Sequence, residues 1–165
     1  MKKMITCMIL MAILCVGCSE NGSDAQDKNT VSGSTKAVLE SMLNCPNEKL
    51  YNSSAITAIG EGTSEEESED AQVSVDEQKA NWKDAVGEYF TDDSFEKFYN
   101  EVATWYLGQA DAIGDTWSLG NIELKEKGDN TELVETTVKT GKGDKTISLM
   151  FTYDSDGKIQ KVEEK

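Results

Sequence analysis

The last third of the chain constrains the fold most. From Trp117 onward apolar residues recur at every second position, the period of a half-buried strand rather than of a helix. Leu119 to Lys127 alternates around Ile122 and Leu124, and Glu132 to Thr140 places Val134, Thr136 and Val138 on one face. Ile147, Leu149, Phe151 and Tyr153 line one face of a third run, and Lys158 to Val162 closes the series. The runs are separated by Lys127-Gly128-Asp129-Asn130, Gly141-Lys142-Gly143-Asp144 and Asp154-Ser155-Asp156-Gly157. Such Gly, Asp and Asn clusters between alternating segments are hairpin turns. Four strands so joined make an antiparallel meander with one apolar face, and that face must be covered.

The cover lies upstream, where the period becomes helical. Ala37, Val38, Leu39, Met42 and Leu43 form an apolar stripe that Asn44 to Pro46 interrupts, since proline disfavours helical geometry in the residue before it. Pro46 suits the first turn of a second short helix, Pro46 to Asn52, with Leu50 and Tyr51 inward. Ala55 to Ile59 is a short apolar run compatible with helix or strand. From Glu77 the pattern returns, with Trp82, Ala85, Val86, Tyr89 and Phe90 on one face. Asp93 is a candidate N-cap for the next helix, with Glu96 three residues on. Phe95, Phe98, Tyr99, Val102, Trp105 and Tyr106 form the buried face of that helix, and Gly108 to Gly114 ends it. The expected class is α+β, with N-terminal helices packed on a curved antiparallel sheet of about four strands. The aromatic residues Trp82, Tyr99, Trp105, Tyr106 and Trp117 are candidates for core or for the lining of a pocket.

Gly60 to Asp76 is the sharpest internal shift in composition, with seven carboxylates and no lysine. It reads as a solvated acidic loop. A calcium site is the alternative, but the run lacks the ligand spacing and turn glycine of an EF-hand loop. Asp154 to Gly157 echoes the start of such a loop without its later ligands, and explains itself as a hairpin turn. No metal site is therefore assigned.

The order of helices and then a meander, over Lys36 to Glu163, resembles the cone-shaped fold of the nuclear transport factor 2 superfamily. It is also similar to the small export lipoproteins of Gram-positive anaerobes that share that fold. A cystatin-like roll, with a helix laid across a four-stranded sheet, is the alternative. The superfamily includes ketosteroid isomerase, whose cone pocket pairs an aspartate base with a tyrosine donor. The resemblance thus allows a cone-pocket enzyme with a carboxylate base, but nothing in the sequence singles out one Asp or Glu, and no catalytic residue is assigned.

The first residues speak to location. Lys2 and Lys3 precede an apolar run, Met4 to Val16, which is short for a bilayer-spanning helix and suited to a signal-peptide core. Leu14-Cys15-Val16-Gly17-Cys18 resembles the lipobox of bacterial lipoproteins, with Cys15 where leucine is usual. The resemblance implies removal of residues 1–17 and a lipid on Cys18; two or more acyl chains would anchor the protein stably. Residues 18–35 then form a flexible polar tether, and 36–165 a single domain. Ser19 follows the cysteine, so the aspartate-type inner-membrane retention signal is missing. The expected location is the extracytoplasmic face of the cell membrane, or the outer membrane in a Gram-negative host.

Charge and residue types remove several functions. The chain has a formal net charge of −15, no histidine, and only lysine among its 16 basic residues. An acidic surface cannot track phosphates, so nucleic acid is not a partner. Bidentate arginine recognition, histidine-based triads and histidine zinc sites are absent. With the leader removed and Cys18 lipidated, Cys45 is the one remaining thiol, so the fold uses no internal disulfide. Cys45 reads as a small buried hydrophobe. The sequence leads to a non-catalytic, cofactor-free binding module for a small apolar ligand or an envelope protein, held to the membrane through Cys18. The alternative is an accessory or inhibitor protein regulating an exported enzyme or transporter. An open cavity of ~300 Å³ or more would favour a ligand, and a filled interior would favour the alternative.

Overall fold

A computed structural model describes residues 30–53 and 65–165; for 65–74 the backbone alone is described. The leader, Cys18, the tether to residue 29, the Ala55–Ile59 run and residues 60–64 lie outside the described residues. Four α-helices are described: α1 (Gly33–Leu43), α2 (Glu65–Val86), α3 (Asp92–Phe98) and α4 (Trp105–Ala112). Four strands follow: β1 (Ser118–Lys127), β2 (Thr131–Thr140), β3 (Gly143–Tyr153) and β4 (Ile159–Glu164). They form one antiparallel sheet in the order β1-β2-β3-β4. The fold is α+β, as the change of period requires. No described helix is long and apolar enough to cross a membrane.

The register places Leu124, Val134, Leu149 and Glu164 in one row across the sheet, and Glu132, Phe151 and Val162 in another. The face carrying these residues meets the helices. Val134, Val138, Leu149, Phe151 and Ile159 are fully buried in one cluster with Val38, Leu39, Met42, Leu43, Trp82 and Val86. Burying a side chain of this size contributes roughly 1.5–3 kcal/mol. The opposite face holds the ion pairs of Lys125 with Glu123 and Glu135, both 3.3 Å, and is solvated.

Three polar joints fix the helices to the sheet. Cys45 and Trp117 exchange backbone hydrogen bonds of 2.9 and 3.0 Å, tying the end of α1 to the start of β1. Ser94 Oγ donates to the Ile159 carbonyl at 2.7 Å, tying α3 to β4. Asp115 accepts from the Gly141 N–H at 2.8 Å, tying the chain after α4 to the β2–β3 turn.

Several local expectations are corrected. The domain begins before Lys36: Val31 is buried, and Ser32 caps α1 by accepting from the Thr35 N–H at 3.1 Å. Residues 65–76 of the acidic run are the first half of α2, not loop. Carboxylates at a helix N-terminus interact favourably with its dipole, so a solvated helix and a solvated loop share this composition. Residues 47–50 form a turn, with Leu50 and Tyr51 N–H donating to the Asn47 carbonyl, rather than a second helix. The cap of α3 is Thr91, which forms a capping box with Ser94 in place of Asp93 with Glu96. Gly108 lies inside α4, where a Cβ would meet the Tyr51 hydroxyl at 3.1 Å. The glycine there serves a close approach, not a helix end.

The largest correction concerns the helix expected to run from Phe95 through Tyr106. A π-helical turn, Tyr99–Ala103, separates α3 from α4. It adds about one residue to the ladder, and one residue is a rotation of ~100°. Downstream of it the inward positions are Tyr106, Leu107 and Ala110, while Trp105 swings out to 59% exposure. Ala85, expected inward on α2, is exposed as well.

Candidate functional site

Of the five aromatic candidates, three lie deep in the core. Trp82 is fully buried, its indole N–H donating to the Leu50 carbonyl at 2.7 Å and its ring edge-on to Phe98. Tyr106 is buried, and its hydroxyl donates to Glu164 at 2.9 Å. Burial, then that carboxylate, pushes the Tyr106 pKa well above its ordinary value. Trp117 is buried beside Tyr106 with the Lys145 ammonium 5.0 Å from its ring centre. Its indole N–H has no hydrogen-bond partner among the described residues; Asp115 feels it electrostatically but outside hydrogen-bond geometry. Tyr99 is half-buried and stacked on Phe95. Trp105 alone of the five is exposed. Together they do not enclose a pocket: the space between helices and sheet is filled by side chains.

Of the concavities outside that filled space, three bear on function; two further shallow ones, about 420 and 350 Å³, lie along α1 and along the outer side of α4. The first, about 290 Å³, opens beside Cys45, Tyr51, Leu107, Asp111 and Asp115. Its thiol is poorly nucleophilic, because burial, and then the charge of Asp111, push the Cys45 pKa up to about 11.

The second, about 220 Å³, is polar and surrounds Glu132 and Tyr153 at the opposite end of the sheet. Glu132 is 3% exposed, a carboxylate on the core face of β2. It accepts from the Thr35 hydroxyl at 2.9 Å, the Tyr153 hydroxyl at 3.0 Å and the Ser32 N–H at 3.2 Å, and pairs with Lys127 at 3.2 Å. The Tyr153 hydroxyl also meets Ser32 Oγ at 2.8 Å and Thr35 Oγ1. Burial works to raise the Glu132 pKa, but these donors more than offset it, and the group sits below its ordinary value of 4.5. This is the carboxylate–tyrosine pairing that no sequence pattern singled out. As a base it is unsuited: both oxygens are occupied by donors, and its lowered pKa makes it a poor proton acceptor at neutral pH. The sequence signal was there, since a glutamate in phase with Val134, Thr136 and Val138 puts a charge on the apolar side.

The third is an open groove of about 500 Å³ between the π-turn, α4 and β4. Val102, Tyr106, Leu149 and Val162 floor it, Trp105 forms one wall, and Glu101, Glu163 and Glu164 rim it. Lys161 and Lys165 both pair with Glu163, at 2.8 and 3.6 Å. Glu101 makes no ion pair among the described residues. Among the described residues no group of three or more acidic or cysteine side chains could hold a metal ion.

No family model, no curated protein and no solved structure matches this chain.

Proposed function

We propose that the chain is a lipid-anchored extracytoplasmic protein whose domain acts by docking a partner protein of the cell envelope, without catalysis. One observation carries the docking half. The helix–sheet interior that would hold a ligand in a cone-pocket protein is packed with side chains, while a tryptophan is left on the surface. The two deeper hollows, about 290 and 220 Å³, lie at and below the lower end of the usual range for ligand pockets, and the roomier concavities are open grooves on the surface. One hollow presents a protonated thiol and the other a carboxylate already satisfied. This favours an accessory or regulatory role over a small-ligand carrier and over a carboxylate-base enzyme.

The anchor half rests on Lys2, Lys3, the apolar run and the lipobox-like segment ending at Cys18. It bounds how far the domain can stand from the membrane. The chain enters at Thr30 to Ser32, beside Glu132, and α4 runs towards the β2–β3 turn at the other end of the sheet. That is about 30 Å along β2 at ~3.4 Å per residue. Between Cys18 and Thr30 the chain can reach at most ~40 Å. The acidic domain stands off anionic headgroups on that tether.

Each half has its own test. Cys18→Ala should move the protein from the membrane fraction to the soluble fraction or medium; unchanged retention would mean that the apolar run is itself the anchor. Crosslinking on intact cells should yield one partner in fixed ratio, and its absence across growth conditions would remove the docking half.

A further inference from the structure

We infer that the groove between α4 and β4 docks a cationic segment of a partner protein, which covers Trp105. The inference deepens the docking reading and rests on it, but it does not need the lipid anchor.

Trp105 and Ile113 are the two large apolar side chains exposed among the described residues, at 59% and 53%. They stand eight residues apart, at the start and just past the end of α4, which places them on one helical face. Isolated exposed apolar residues such as Ile113 need no explanation, but a tryptophan that walls an apolar-floored groove does. The same π-turn that opens α3 from α4 turns Trp105 outward, and such insertions recur at functional sites.

Charge selects the occupant. The groove presents Glu101, which makes no ion pair among the described residues, and Glu164 over its apolar floor, while Glu163 on the rim is already held by Lys161 and Lys165. A second copy would bring the same carboxylates and the same net charge of −15, so like charges would meet. Anionic headgroups are repelled on the same ground. A lysine or arginine stem can lie along the Trp105 ring while its charged head reaches a rim carboxylate. The molecule already makes this contact once within itself, where the Lys145 ammonium sits over Trp117 and, at 6.0 Å, Tyr106.

The test uses the full-length protein in detergent and two tryptophan-free octapeptides, one alternating Lys and Leu, the other Glu and Leu. Trp82 and Trp117 are buried, so acrylamide quenching reads mainly Trp105. The Lys–Leu peptide should protect the fluorescence and the Glu–Leu peptide should not. Trp105→Ala should weaken binding of the Lys–Leu peptide at least tenfold by calorimetry, and Glu101→Gln about threefold. Glu123→Gln with Glu126→Gln, remote on β1, should leave it unchanged. Equal binding by Trp105→Ala, or equal weakening by the remote pair, would overturn the inference. So would a dimer that Trp105→Ala dissolves, or protection of Trp105 by anionic vesicles. A crosslinked envelope partner retained in full by Trp105→Ala would also overturn it, yet leave the docking reading standing. Peptide binding at Trp105 with no envelope partner in cells would do the reverse.

Discussion

Glu132 and Trp105 break the ordinary rule of burial in opposite senses. The carboxylate is 3% exposed and the tryptophan 59%. Around Glu132 every acceptor site is used: two hydroxyls, a backbone N–H and an ammonium converge on it. Around Trp105 nothing closes, and the neighbouring Glu101 makes no ion pair among the described residues. A satisfied exception is part of the scaffold, because removing it exposes the partners it satisfied. An unsatisfied exception on a surface costs the fold little and is available to something else. The difference separates the structural polar cluster from the groove that can bind.

Three substitutions test that separation, in falling order of effect on stability. Glu132→Gln removes the charge facing the Lys127 ammonium, halves the acceptor sites and turns an NH2 donor towards the remaining donors, and should cost about 2–4 kcal/mol in urea unfolding at pH 7. The cost should depend on pH. A carboxylate whose folded pKa lies below its unfolded value contributes fully above the unfolded value. That contribution is lost as pH falls through the folded one. The gap between wild type and Glu132→Gln should therefore be widest above about pH 5 and narrow on acidification below it; a gap constant to pH 3 would refute the ionised clamp. Tyr153→Phe removes one of the donors to Glu132 and leaves the carboxylate in place, so a loss of about 1–2 kcal/mol is expected. Trp105→Ala should change stability by no more than about 0.5 kcal/mol. A loss of 2 kcal/mol or more there would show that Trp105 belongs to the core energetically, and the contrast with Glu132 would collapse.

The sheet was legible because period-2 alternation survives from Leu119 to Val162 and each turn carries its own residues. All four strands fall within a few residues of where the alternation places them, apart from β3, which starts at Gly143 rather than Ile147. The helical part was legible in its stripes and not in its joints. Nothing local announces the π-turn at Tyr99–Ala103, since its residues suit an α-helix equally well, and one extra residue decides which aromatic is inside. The acidic segment misled for another reason: a run of carboxylates suits the first turns of a helix as well as it suits a loop. Of the candidate sites, Glu132 could have been noticed as a charge out of place on β2. The groove could not, because it is made by the phase shift together with the edge of β4.

Burial of Cys45 has a consequence for how the chain survives among oxidants. With its pKa pushed up to about 11, the thiol is almost wholly protonated at pH 7. Exchange with a disulfide proceeds through the anion, so burial slows the resting rate, a loss partly offset by the greater nucleophilicity of a high-pKa thiolate. The backbone bridge to Trp117 holds the residue in the join between α1 and β1, with its side chain at the wall of the 290 Å³ hollow. A small alkylating agent that enters the hollow would thus report the ionised fraction of Cys45, and only a reagent too bulky for the hollow would report opening of the α1–β1 seam.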